Sequence, residues 1–289
     1  MAVFLHSFSR WISAGVTAGF IAGSASMVLA QMPVVSASLC ADSYVLELAD
    51  PAQIKTLSWQ SNSSLSLAPN ALRSSNGAWA EAENLLVSAP SLIVLDSADG
   101  LAATKLAKKR GSQVFQLSWA EGFADINANR MRLGAYLQKP VQAEQAAEQQ
   151  NRELLALEAR SRNRQHSKRV LYLTPTLGTA GMGTFVDAAI RAAGGINLAA
   201  EYGISGWGQL PLERLIANPP DLIVASFFNE GPPSVLQFRS NHSVLRSLRK
   251  QVPVTNVSGG YWVCAGPHLI LAAEQIADAL DKLQGNDRS

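Results

Sequence analysis

What this chain lacks narrows it first. It has no Walker A sequence, no strand-linked G-x-G-x-x-G, no G-x-S-x-G and no H-E-x-x-H. The common phosphate cradle, dinucleotide turn, hydrolase elbow and zinc helix are therefore missing. Histidine is scarce: beyond the first 30 residues only His166, His242 and His268 occur, widely spaced. A protein gripping a bare Zn²⁺ or Mn²⁺ ion wants several His and carboxylates converging, so no metal site and no cofactor are expected. No nucleophile–base pair can be picked out, so an enzyme is not expected. Charge is also sparse, with 16% charged residues and a net charge of +2. The basic residues are scattered except for the run from Arg160 to Arg169, read as a solvated helix end. A nucleic-acid partner, which needs a basic face, is not expected. Hydrophobic residues make up 47%, enough for well-filled cores and too many for a disordered chain.

Residues 1–30 read as targeting. His6 and Arg10 precede an apolar, Gly/Ala/Ser-rich stretch from Trp11 to Leu29, and Ala30 supplies the small residue a signal peptidase needs. The expectation is a cleaved signal peptide and a mature start at Gln31. Cys40 is preceded by Leu39, not by the small residue a lipoprotein requires, so no lipid anchor is expected. Export implies an oxidising compartment.

A segment then occurs twice. Residues 82–94 read AENLLVSAPSLIV and residues 212–224 read LERLIANPPDLIV. In each, a Glu (Glu83, Glu213) opens an amphipathic run, a Pro (Pro90, Pro220) follows, and a Leu-Ile-Val strand comes next. The physical reading is a short helix stopped by Pro and then a buried parallel strand. One such unit per half points to two α/β lobes with a cleft between them.

The rest of the chain fits that plan. Strands are predicted at Pro33–Ser38, Ile54–Trp59, Gln113–Leu117, Arg169–Thr174 and Val252–Val257. Helices are predicted at Leu39–Leu48, Leu101–Arg110, Thr184–Ala193, around Val244–Lys250 and at Gly266–Leu283. The stretches TPTLGTAGMG and ISGWGQLP read as loops. Alternation of this kind means mainly parallel sheets flanked by helices. From Pro140 to about Gln165 the chain has no Gly and no further Pro, and reads as one long helix joining the lobes. The predicted organisation is a signal peptide over 1–30, an N-terminal lobe over 31–139, an inter-lobe helix over 140–166 and a C-terminal lobe over 167–289.

In open α/β sheets, ligands bind beyond the carboxyl ends of strands. After such ends fall Ser38, Cys40 and Asp42, then Trp59, Trp119, Met182 with Gly183, Phe227 and Trp262, while Trp79 and Trp207 shortly precede the repeat-unit glutamates. Five Trp beyond residue 30, all near loops, suit a large, flat, partly apolar ligand. The competing reading is Trp packed down on its own lobe.

These residues carry a resemblance. SASLCAD at the first strand end, TAGMGTFVDAAIRAAGGINLA, GWGQLPLERLIANPPDLIV and YWVCAGPHLILAAEQIADAL together resemble the class III periplasmic substrate-binding proteins of ABC importers. That group takes up vitamin B12, ferric siderophores and haem. The spacing is most similar to the cobalamin-binding branch. The resemblance implies two lobes joined by a rigid helix, a ligand between them and little hinge motion. It implies that Glu83 and Glu213 dock onto the permease dimer, and that Trp59, Trp79, Trp207 and Trp262 line the cleft. It also implies a soluble, monomeric periplasmic receptor whose partners are a small metal chelate and an inner-membrane ABC permease with its ATPase. No Arg cluster marks an acidic siderophore and no His or Tyr is clearly placed as an axial haem ligand, so a near-neutral corrinoid or ferric chelate is expected. A chelate-processing enzyme on the same fold, a metal-ion chaperone and a sensor-coupled receptor are the alternatives.

Cys40 follows the first strand of the first lobe and Cys264 the last strand of the second. A disulfide across the cleft, two separate thiols with one near the ligand, and two small buried residues are all open readings.

Overall fold

The computed structural model describes residues 32–73, 91–97, 101–174, 176–210, 212–226, 248 and 250–286. Its first sheet is built from short apolar runs. Strands β1 (Val34–Ser36), β2 (Ile54–Thr56), β3 (Leu92–Leu95) and β4 (Gln113–Gln116) pair in the order β2-β1-β3-β4, all parallel. Every side chain of β1 and β3 is buried, as parallel strands covered on both faces require. Helices α1 (Leu39–Leu48), α2 (Leu101–Lys109) and α3 (Phe123–Tyr136) accompany this sheet.

Helix α4 (Pro140–Arg162) then leads to the second half. Pro140 is its first residue, where a missing N–H costs nothing and the fixed φ already suits a helix. The second sheet comprises β5 (Arg169–Leu173), β7 (Ile196–Asn197), β9 (Leu222–Ala225) and β10 (Val254–Asn256), ordered β10-β9-β5-β7 and again all parallel. Read from the other edge, each sheet runs second strand, first, third, fourth. The strand halves of the repeated segment, β3 and β9, thus hold the same place in the two sheets.

Two predicted loops contain strands. β6 (Gly178–Ala180) and β8 (Trp207–Gln209) form an antiparallel ribbon. Three residues with a Gly carry no β pattern of their own; the ribbon exists because the partner is present. Between these strands lie α5 (Phe185–Ala192), α6 (Leu198–Glu201) and β7. The second repeat's helix, α7 (Leu212–Ala217), ends just before Pro219-Pro220. Short α8 (Gly259–Trp262) and the long α9 (Leu269–Asn286) finish the chain. Helix α3 was not predicted at all, and the predicted helix around Val244–Lys250 falls largely outside the described residues.

The basic run is not simply a solvated helix end. Arg160 bonds Asp278 and Asp281 of α9 at 2.6 and 2.5 Å, and Arg164 Nε reaches Asp281 at 2.7 Å. These pairs pin the end of α4 to α9. One core cluster runs continuously from Val34 and Phe115 through Tyr44 to Val170, Trp262 and Leu280. The two sheets are therefore bound together through α1, α8 and α9 as well as through α4.

Candidate ligand cleft

The carboxyl ends of β3 and β4 and the start of α1 open onto a cavity of about 190 Å³. Asp96, Ser97, Leu117, Ser118 and Trp119 line it from the first lobe, with Cys40 and Tyr44 of α1. Phe185, Val263, Cys264 and Ala265 close it from the second. Both lobes thus contribute walls.

The covalent tie sits in that wall. Cys40 and Cys264 form a disulfide with a Cα–Cα separation of 6.1 Å, so the separate-thiol readings do not describe this chain. Beside it, the Tyr44 hydroxyl donates to the carbonyl of Ala265 at 3.3 Å. Burial pushes the Tyr44 phenol well above its ordinary value, so it keeps its proton and stays a donor.

The Trp119 wall is braced from behind. Asn129 on α3 accepts the Ser118 N–H at 2.9 Å and donates to the Ser118 carbonyl at 2.9 Å. The loop at the end of β4 is thereby fixed, while the Trp119 ring is 67% exposed. An aromatic ring held outward on a pinned loop is a stacking surface.

The remaining candidates divide. Trp207, at the start of β8, is half exposed and packs 5.3 Å from Phe185 and 6.2 Å from Tyr172. Phe185 also lines the cavity, so Trp207 touches one residue of its wall. Trp59 is exposed and begins a 3₁₀ turn beyond the carboxyl end of β2. Met182 is exposed at the α5 entrance, followed by Gly183 at φ +82°, a conformation costly for any residue with a Cβ. Gly183 makes the turn that lets Thr184 cap α5, accepting the Asp187 N–H at 3.1 Å.

Three candidates are structural instead. Ser38 is the cap of α1, accepting the Ala41 N–H at 3.1 Å. Asp42 is buried and accepts from the Ser36 hydroxyl, from the Ser58 N–H at 2.8 Å and from the Ser58 hydroxyl at 2.6 Å. It stitches β1 to the segment after β2. Trp262, expected in the cleft, is only 1% exposed. Its ring meets Tyr172 edge-on at 5.2 Å and its N–H donates to Ser226 Oγ at 2.8 Å. It belongs to the core because α8 turns it inward. Trp79, Phe227 and Glu83 lie outside the described residues, as does the side chain of Glu213.

Tyr44, Phe185 and Asn129 were missed as site residues. Tyr44 and Phe185 look like ordinary apolar helix positions. Asn129 sits on the unpredicted α3, whose spacing of Phe123, Ile126, Leu133 and Leu137 was the available signal.

Two parallel sheets that meet over one cavity and are joined by a single long helix define a two-lobed ligand-cleft protein. A family profile described as "Periplasmic binding protein" matches residues 45–238, and the chain belongs to that family. Among curated proteins it is 24% identical over 205 residues to the vitamin B12-binding protein of Salmonella choleraesuis strain SC-B67, covering 70% of this chain and 73% of that one. It is 28% identical over 150 residues to the vitamin B12-binding protein of Yersinia pseudotuberculosis, where it spans about half of the relative (51%) and 52% of this chain. Among solved structures, the periplasmic heme-binding protein RhuT from Roseiflexus sp. RS-1 matches with a TM-score of 0.70 at 21% identity, over 88% of this chain and 99% of that one. The periplasmic vitamin B12-binding protein BtuF of Vibrio cholerae matches with a TM-score of 0.62 at 19% identity, over 88% and 98%. At these identities the structural matches speak for the fold.

Proposed function

We propose that this protein is the solute receptor of an ABC importer and carries a near-neutral metal chelate, of corrinoid or ferric-siderophore type, to an inner-membrane permease. The observation that carries the reading is a cavity walled by both lobes, with the exposed Trp119 in its lining and the half-exposed Trp207 packed on Phe185 beside it. The cavity itself is below the ~300 Å³ at which small-molecule pockets begin. A large flat ligand is therefore received across its aromatic rim rather than swallowed whole. Among the described residues no arginine lines the cavity, which suits a ligand of little net charge. The names of the curated relatives support a corrinoid. Among the described residues no group of three or more His, Cys, Asp or Glu side chains is gathered to hold a bare ion, so the metal is proposed to arrive inside its chelator.

The reading includes export by a signal peptide cleaved after Ala30, a monomeric mature protein and no covalent chemistry. It also assigns Glu83 and Glu213, one at the head of each repeat unit, to docking on the permease. Charge reversal at both positions is expected to spare ligand binding and abolish uptake.

The direct test is intrinsic tryptophan fluorescence of the mature protein, titrated with cyanocobalamin, a neutral hydroxamate ferric siderophore and haemin, with absorption controls. Saturable quenching by cyanocobalamin or the siderophore supports the reading and selects the branch. Saturation by haemin alone replaces the ligand class with a porphyrin. Silence with all three removes the chelate from the proposal.

A further inference from the structure

Behind the exposed ring of Trp119, a carboxylate joins the loop after β4 to the start of α5. Glu121 Oε1 accepts the indole N–H of Trp119 at 2.7 Å. Its other oxygen, Oε2, accepts the backbone N–H of Phe185 at 3.2 Å. Trp119 belongs to the loop after β4 in the first lobe; Phe185 opens α5 in the second. The Glu121 main chain is itself held, with its N–H donating to Asp125 Oδ2 at 3.0 Å. Close approach of the backbones supports the link: a Cβ placed on Gly122 would stand 3.9 Å from the Ala188 Cβ on α5.

The chemistry of each partner suits an anion. An indole N–H is a donor with no acceptor capacity, and the first amide of an α-helix lacks an intrahelical partner and carries partial positive charge. A carboxylate offers two acceptor oxygens and satisfies both donors at once. A neutral amide offers one.

Resting on the reading of Trp119 as a cleft wall, we infer that Glu121 is a positioning residue that couples the presentation of the Trp119 ring to the approach of the second lobe. When α5 moves away from the first lobe, Oε2 loses its partner and the carboxylate is free to turn. The indole then loses the constraint that holds it outward. Ligand stacking on Trp119 and closure against Phe185 therefore favour each other, as two events biasing one two-position element.

The test is amide NMR of the mature protein, without ligand, for wild type, Glu121→Ala, Glu121→Gln and Trp119→Phe. In Glu121→Ala the Trp119 indole resonance should shift and hydrogen exchange at the Phe185 amide should rise about tenfold, the scale of one charge-assisted hydrogen bond. Glu121→Gln should keep one contact and lose the other. Trp119→Phe, which touches nothing in the second lobe through its own N–H, should still change exchange at Phe185. Wild-type exchange at Phe185 in both Glu121→Ala and Trp119→Phe overturns the proposal, as does Glu121→Gln matching wild type in both signals. Titration of the same variants with cyanocobalamin and haemin adds a binding readout, where Glu121→Ala should weaken binding several-fold. If wild type binds neither probe, the ligand assignment fails while the exchange data still decide the role of Glu121.

Discussion

The guanidinium of Arg130 grips both oxygens of Glu47, with Nε–Oε2 and Nη2–Oε1 each at 2.8 Å, across 83 residues of sequence. Its remaining donors reach Asn127 at 2.7 Å and Gln150 at 2.6 Å. One buried side chain on α3 thus ties α1 to the inter-lobe helix. Removing the cation leaves a carboxylate and two amides short of a partner. Arg130→Ala should lower unfolding stability by ~3 kcal/mol, the usual cost of breaking a buried pair on one side. Arg130→Met combined with Glu47→Leu should recover most of that loss. Urea unfolding of the three proteins checks both expectations.

Asp42 makes a pH-dependent contribution of opposite sign to the usual carboxylate. Burial raises its pKa, and the hydrogen bonds from Ser36 and Ser58 only partly offset this. The folded state therefore binds the proton more tightly than the unfolded chain. Its contribution to stability falls as pH rises from the ordinary carboxylate value of about 4 to the raised folded value, and is flat above that. Asp42→Asn keeps an acceptor for the Ser58 N–H and removes the titration. The stability of the variant relative to wild type should climb with pH across that window and then level off. Asp42→Leu, which strands three donors, should instead cost ~3 kcal/mol at neutral pH. Chemical denaturation over a pH series distinguishes these outcomes.

Reduction of Cys40–Cys264 should act on stability and on cleft width together. The bond closes a loop with a sequence separation of 224, and cross-links of long loops contribute ~4 kcal/mol. Cys40→Ser with Cys264→Ser should lose about that much, and small-angle scattering should register a wider, more variable cleft. A double variant with unchanged stability and an unchanged radius of gyration counts against the bond as a tie between the lobes.

Trp207 and Trp262 should respond oppositely to truncation. Trp207 is half exposed, so Trp207→Ala should cost ~1 kcal/mol of stability and weaken ligand binding about tenfold, the worth of one lost aromatic contact. Trp262 is buried and hydrogen-bonded, so Trp262→Ala should cost ~4 kcal/mol and leave the affinity of the folded fraction nearly intact. Thermal unfolding and equilibrium binding on the same samples read both.

Much of the architecture was legible in the chain. The repeated Pro-then-Leu-Ile-Val segment, the Pro140 helix and the alternation of strand and helix all report local periodicity or backbone restriction, which neighbouring residues alone determine. The ribbon of Gly178–Ala180 with Trp207–Gln209 was not legible, because its pairing is long-range and its residues have little strand preference. The cleft was half legible for the same reason. Trp119 could be placed at a strand end, since strand ends follow from local pattern, whereas Trp207 was marked only by its position shortly before Glu213. Whether a Trp points outward or inward depends on the turn beneath it, so Trp262 read like its neighbours and proved to be core. Glu121 gave no signal, because its meaning lies in an amide 64 residues away.

The cross-link between Cys40 and Cys264 also imposes an order on the making of this molecule. Cys264 is synthesised 224 residues after Cys40, so the first thiol must wait, unpaired, until nearly all of both sheets exists. A chain cut short before α8 can never acquire the bond. Sealing thus distinguishes finished copies from fragments.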